Sequence, residues 1–378
     1  MAFNLIRSSR VFFTTNVNGG GIVQTTGLTV ANTFEIQVLE GLSFTQNTQS
    51  ETVTLNEAGA DPVRGQRNFN TALEPVDYSF STYIRPFFFD SATDEIQAEE
   101  SVLWNALAGT GAIGGAGAGW TTGPTFSTVS FTNSNAHQLQ KFGLIFVIDG
   151  VTYIIDNCAL DTATIDFGLD AIAQVAWAGK GTAIRQIEGV ALTADANPVF
   201  SNGLTGTAKG KNVNAKYIAN KLSTLSLTAG IGGTGTAYTI AITGGSITFA
   251  NNLTYLTPAN LGVVNQPITY FTGTRAISGS VTAYLRTGTN TSADLMQALL
   301  AGSSTDVDPE YYLRMEMGGV TNPNRVEIEL PAAMLSIPTV STEQVVSTTI
   351  NFTAQGSTGS AYDIEQANEA TITYYAAV

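Results

Sequence analysis

Residues 76–85 read Val-Asp-Tyr-Ser-Phe-Ser-Thr-Tyr-Ile-Arg. Val76, Tyr78 and Phe80 alternate with Asp77 and Ser79, the period of a strand with one buried and one wet face. The closing Tyr83-Ile84-Arg85 returns much later as Tyr284-Leu285-Arg286, and in the same frame Phe69 meets Tyr270 and Phe80 meets Val281. Upstream, Gly41-Leu42-Ser43-Phe44 resembles Ser246-Ile247-Thr248-Phe249. Downstream, Leu103-Trp104-Asn105-Ala106-Leu107 resembles Leu295-Met296-Gln297-Ala298-Leu299. Val175, Trp177, Ala178 and Gly181 then meet Ile350, Phe352, Thr353 and Gly356, and even Leu5-Ile6 meets Tyr217-Ile218. The common order of these matches reads as a duplication. It predicts a first unit over 1–188, a Gly/Ala/Asn/Lys-rich connector over 189–211 and a second unit over 212–378. An insertion in the first unit, about FFFDSATDE, accounts for the change of frame.

The same period of two runs through Phe34–Val38, Val151–Ile155, Tyr238–Ile242, Val326–Leu330 and Ile372–Tyr374, rich in the β-forming residues Thr, Val, Ile, Tyr and Phe. One short helix per unit is predicted, over Glu99–Leu107 and Ala293–Leu300, with Asp94 and Ser292 as candidate caps. Each unit is therefore expected to be a mainly β sandwich or barrel-like sheet with a flanking helix. Two longer polar stretches, Thr45–Asn70 and Ala250–Thr269, lie between clear strands. Both are expected to protrude and make contacts.

Composition narrows the function. The chain has 378 residues with 16 Lys and Arg against 30 Asp and Glu, a net charge of −14. That argues against a surface that grips nucleic acid. Charged residues are only 12% of the chain, against about a quarter in ordinary domains. Hydrophobic content of 43% argues against disorder, so the expectation is a folded chain whose surface is largely covered by partners. A single Cys (Cys158) and a single His (His137) exclude an internal disulfide and His- or Cys-rich metal centres. The start, MAFNLIRSSRVFF, has no apolar core of a signal peptide, and the apolar run Leu144–Ile148 is far too short to span a bilayer. A soluble, cytoplasm-made protein without membrane contact is expected.

The motifs that could carry chemistry do not assemble into a site. Gly109–Gly114 matches G-x-G-x-x-G, but it follows a predicted helix rather than a strand, so it reads as a loop. Gly230–Gly235 reads the same way, and Gly179-Lys180-Gly181 and Gly210-Lys211-Asn212 lack phosphate-loop spacing. The carboxylates at Asp94/Glu95, Glu99/Glu100, Asp161/Asp166/Asp170 and Asp306/Asp308/Glu310 lack Ca²⁺-loop spacing. Cys158 reads as a small buried hydrophobe and His137 as a loop residue bonded locally. The N-x-S/T triplets at Asn252, Asn290 and Asn351 carry no weight without secretion. No catalytic role, cofactor or metal is expected. A self-assembling coat, decoration or surface-layer protein shares this composition. A glycan-binding or hydrolysing domain has one candidate cleft, Tyr311/Tyr312 beside Asp306, Asp308 and Glu310.

Taken together, the start Asn4-Leu5-Ile6-Arg7, the strand, polar loop and strand from Phe34 to Arg85, the helix around Leu103–Gly109 and the closing strands at Trp177 and Phe352 resemble the tail tube proteins of long-tailed bacteriophages. The resemblance spans most of the chain. It implies a sandwich domain with a flanking helix, six domains to a ring, and rings stacked into a hollow tail tube. Two domains in one chain imply a ring of three chains with pseudo-sixfold symmetry. Further partners implied are the chain itself, a tape-measure protein, and sheath, baseplate and tail-terminator proteins. DNA would pass through without specific binding. The protein would be made in the host cytoplasm and reside in the virion tail. On this reading Glu35, Gln37, Asp77, Ser79, Thr239, Ser278 and Ser280 are candidates for the bore, where small or acidic groups do not hold phosphate. Thr45, Asn56, Glu57, Asp61, Arg64, Arg67, Asn252 and Asn260 are candidates for contacts between rings.

Overall fold

A computed structural model of the chain describes residues 10–29, 32–53, 66–89, 95–109, 119–131, 139–148, 151–187, 216–302, 309–319, 321–341, 346–356 and 368–377. Its first half runs β1 (Arg10–Thr14), β2 (Thr33–Ile36), β3 (Ser43–Val53), β4 (Arg67–Tyr83), β5 (Pro86–Phe89), β6 (Glu95–Ala98), α1 (Ser101–Ala108), β7 (Trp120–Thr121), β8 (Ser127–Phe131), β9 (Phe142–Ile148), β10 (Val151–Asp166), β11 (Gln174–Gly181) and β12 (Ala183–Ile187). The second half runs β13 (Thr224–Ala229), β14 (Ala237–Ile240), β15 (Ile242–Ala250), β16 (Leu253–Leu256), β17 (Thr269–Thr272), β18 (Ala276–Tyr284), α2 (Ser292–Gly302), β19 (Glu310–Met317), β20 (Arg325–Leu335), β21 (Thr339–Ser341), β22 (Ser347–Gln355) and β23 (Ala370–Tyr375). The alternating stretches are strands and the two helical stretches are helices, so the mainly β class read from the sequence is the class observed. The cap candidate Asp94 and the bulk of the Gly109–Gly114 motif lie outside the described residues, as does His137.

The two halves follow one pairing order. In the first, β2–β1–β9–β10 make one sheet, closed on its far side by β12. A second sheet runs β3–β4–β11–β10. In the second half, β14–β13–β19–β20 with β23 make one sheet, and β15–β18–β22–β20 the other. One long strand per half therefore serves both sheets. In β10 the change happens at register breaks between Ile155 and Cys158 and between Leu160 and Thr162. Asn157, at a left-handed φ of 48°, sits in the first break. Such bulges bend a strand and let it leave one sheet for another.

The halves are also laced together. β10 pairs with β15, from Thr162↔Ala250 to Asp166↔Ser246. β8, which lies within 1–188, pairs with β23 near the C-terminal end, from Ala370↔Phe131 to Tyr374↔Ser127. A cut after residue 188 would therefore sever a ladder. One hydrophobic core runs through both halves. At its centre Trp104 of α1 meets the rings of Trp177, Phe249 and Phe131 at 4.8, 5.5 and 6.4 Å. Close approach also requires glycine in β18, where a Cβ on Gly279 would collide with the ring of Phe352 and the carbonyl of Ser246.

Candidate assembly surfaces

The β10–β15 ladder fuses two four-stranded sheets into a continuous run, β3–β4–β11–β10–β15–β18–β22–β20. One cross-strand row follows it from Ser81 through Ala176, Thr164, Thr248, Ser278 and Thr353 to Met334. The flanking residues Phe80, Trp177, Ile165, Ile247, Ile277, Phe352 and Leu335 are buried, so the row marks the face away from the core. Hydroxyls join across it: Thr164 Oγ1 to Thr248 Oγ1 at 3.0 Å and Ser43 Oγ to Ser79 Oγ at 2.9 Å. Lys180 and Asp77 stand opposite each other and neutralise one another, with Nζ and Oδ1 2.5 Å apart. The rest of the face is mostly small and uncharged, apart from the exposed Asp166 opposite Ser246 and Met334 at the far edge.

This arrangement sorts the bore candidates. Asp77, Ser79, Ser278 and Ser280 share this face, with Ser280 between Ser246 and Asn351. The other three lie elsewhere: Glu35 and Thr239 are on the β2–β1–β9 and β14–β13–β19 sheets, and Gln37 follows the end of β2. Glu35 in β2 takes two hydrogen bonds from Arg10, at 2.9 and 2.8 Å. Gln37 accepts one from Arg85 at 2.8 Å. Thr239 is exposed in β14 opposite Ser226. Alternation finds the wet side of a strand but not the sheet to which the strand belongs.

Two arms extend from one end of the long sheet. The first is the far part of β3 and β4, from Thr48↔Leu73 to Val53↔Arg67, with Arg67 over the ring of Phe69 at 5.2 Å. Thr45 lies at its base opposite Asp77. Asn56, Glu57, Asp61 and Arg64 lie outside the described residues. The second arm is β16–β17, the counterpart stretch expected to protrude. Its base is pinned to the first half. Asp161 Oδ1 accepts from the Leu253 amide at 2.8 Å. The Tyr255 hydroxyl donates to the carbonyls of Asn157 and Lys180 at 2.8 and 2.7 Å, and that of Tyr270 to Leu139 at 3.0 Å. Burial pushes both phenols up, so they stay neutral donors. At the arm's base Asn252 holds a φ of 51° and bonds the Thr274 carbonyl at 2.7 Å. Nearer the tip the Asn260 amide bonds Asn265 Oδ1 at 2.8 Å, and Asn265 bridges to β4 through the amide of Leu73 at 2.8 Å.

The candidate glycan cleft is not assembled by the described residues. Asp306 and Asp308 fall outside them, Tyr311 is buried, and the Tyr312 hydroxyl is bonded to Glu329. Cys158 is buried, as a structural hydrophobe would be. Among the described residues no helix is long and apolar enough to cross a membrane.

No family model matches the chain. It is 31% identical over 360 residues to the tail tube protein pb6 of Escherichia phage T5, a match covering 94% of this chain and 73% of that protein.

Proposed function

The chain belongs to the phage tail tube proteins, and from that premise we propose that it builds the tube as rings of three copies, each contributing two tube-lining units over about 1–188 and 212–378. The observation that carries this is the eight-stranded sheet with its small, nearly uncharged outer face. As the wall of a bore, that face lets DNA slide, since it offers no unpaired Lys or Arg row to hold phosphates. Asp77, Ser79, Ser278 and Ser280 line it.

The sheet's two edges supply the ring contact. β3 has only β4 as a partner among the described residues, while the stretch from Leu335 through β21 forms the opposite edge against β22, Ala333 and Met334 being already paired with β19 on their other side. Within the chain, the edge of β15 is already taken up by β10. β3 carries Phe44 where the repeat places Phe249 in β15, so β3 of one copy joins the β20–β21 edge of the next as β15 joins β10. A closed ring of such heterologous contacts removes both exposed edges. Rings then stack around a tape-measure protein in the virion tail, after synthesis in the host cytoplasm. Sheath, baseplate and terminator proteins are further partners of that tail. The role is structural, with no reaction catalysed.

The test is negative-stain electron microscopy of the concentrated full chain. Hollow, axially striated tubes with pseudo-sixfold averages are expected. Flat sheets or closed shells would overturn the reading in favour of a coat protein.

A further inference from the structure

The β16–β17 arm ends in an apolar tip. Leu261, Val263 and Val264 are all exposed, Leu261 completely, and no charged residue occurs from Leu253 to Gly273. The tip is held in place rather than loose, because Asn265 is bonded on both sides of its backbone to β4, through the Leu73 amide and the Thr71 carbonyl. The arm's base rests on β10 and β11 at Asn157, Asp161 and Lys180.

The Asp166 end of β10 and the Gln174 end of β11 point away from that base. Past Asp166 the chain turns through residues 167–173 and pairs with the segment entering the second half. The Ala173 amide donates to Ile218 and the Asn220 amide to Ala171, at 2.8 and 2.9 Å. Leu169, Ile172, Tyr217 and Leu222 stand exposed around that junction. At its rim Lys221 and Asp170 are matched at 3.2 Å, and the exposed Lys216 adjoins Tyr217. Exposed apolar groups clustered this way mark contact surfaces.

The tip is tied to β4 at Leu73 and the patch lies against its far end, where Tyr83 meets Gln174 and the Tyr217 ring, so the two cannot cover each other within one copy. Repeated head to tail, one contact covers both, and it propagates along an axis instead of closing as a twofold dimer would. We propose that the Leu261–Val264 tip of one copy docks on the Leu169, Ile172, Tyr217 and Leu222 patch of a copy in the adjacent ring. The inference rests on the tube reading and gives the tube a polarity, with tips leading at one end and patches open at the other.

Two variants of the full chain test it. Changing Leu261, Val263 and Val264 together to Ser alters only exposed side chains. Loss of tubes with rings retained is expected, and tubes of ordinary length would overturn the docking. Val263→Cys combined with Leu222→Cys should give a ladder of disulfide-linked multimers when assembled protein is oxidised, whereas either change alone gives at most dimers. The native Cys158 is buried and stays silent. Intact tubes without a ladder would overturn this pairing while leaving the tube standing. Failure of the unaltered chain to form rings or tubes would instead overturn the tube reading, and this inference with it.

Discussion

The indole Nε1 of Trp104 donates to the phenol oxygen of Tyr374 at 2.7 Å, with both side chains fully buried. This bond ties α1 of the first half to β23 near the C-terminal end. With the β8–β23 and β10–β15 ladders it joins the two halves, and they are expected to unfold as one unit. Tyr374→Phe strands the indole N–H and removes a partner of Glu100. A loss of about 1–3 kcal/mol is expected, the cost of an unpaired buried polar group. Denaturant unfolding of the variant, followed by tryptophan fluorescence and by circular dichroism, should shift to lower midpoint as one coincident transition. Two separated transitions would contradict the single unit.

Glu100 gives stability a pH slope. It is fully buried, and desolvation lifts its carboxyl to about 7, helped by Glu99. Hydrogen bonds from its own backbone, Tyr374 and Arg85 oppose the rise. A carboxyl raised in the fold binds more protons there than in the unfolded chain between about 4.5 and about 7. Stability from this group is therefore greatest below that window, falls as pH rises through it and is flat above. Glu100→Gln should flatten the slope and raise stability at pH 8 by up to about 3 kcal/mol. Thermal melts across pH 4–8 read this out, and an unchanged slope in the variant would refute it.

The legible parts of the fold were those with local causes. Alternation located the strands because each buries one face, and Tyr83-Ile84-Arg85 with Tyr284-Leu285-Arg286 marked the matching ends of β4 and β18. What stayed hidden depended on partners distant in sequence. Nothing local tells Glu35 that Arg10 lies across the ladder, or tells β8 to pair with β23. The register breaks in β10 also shift which residues face outward, a change a period of two cannot follow. The apolar arm tip was missed for a different reason. The stretch Ala250–Thr269 reads as a protruding polar loop, and the apolar Leu261, Val263 and Val264 at its exposed tip escape notice because alternation marks burial, not contact.

Ring closure can be addressed by charge at the proposed edge pair. The intrachain template places Thr164 opposite Thr248. Ser43 matches Thr248 in the repeat, and Ser336, just past β20, bonds Asn351 of β22 where Thr164 pairs with Ala176 of β11. Like charges directly opposite on neighbouring strands repel. Ser43→Glu combined with Ser336→Glu should reduce ring formation in sedimentation velocity, while Ser43→Glu with Ser336→Lys should restore it. Equal assembly of both pairs would mean that these edges do not meet.

The bore assignment makes a separate prediction about DNA. Ser278 and Ser280 sit on the small-residue face, one exposed and one half-buried, so Arg at both positions leaves the core untouched. In a ring of three chains, two added cations per chain would place about six positive charges at one level of the bore. Each cation that neutralises a phosphate contributes to binding through counterion release, so affinity should drop steeply with salt. Tubes of the double variant are expected to assemble normally yet retain short double-stranded DNA in co-sedimentation at low salt and release it at high salt, while unaltered tubes retain none. If the variant tubes bind DNA no better than unaltered ones, these serines face away from the channel and the wall of the bore must be another sheet.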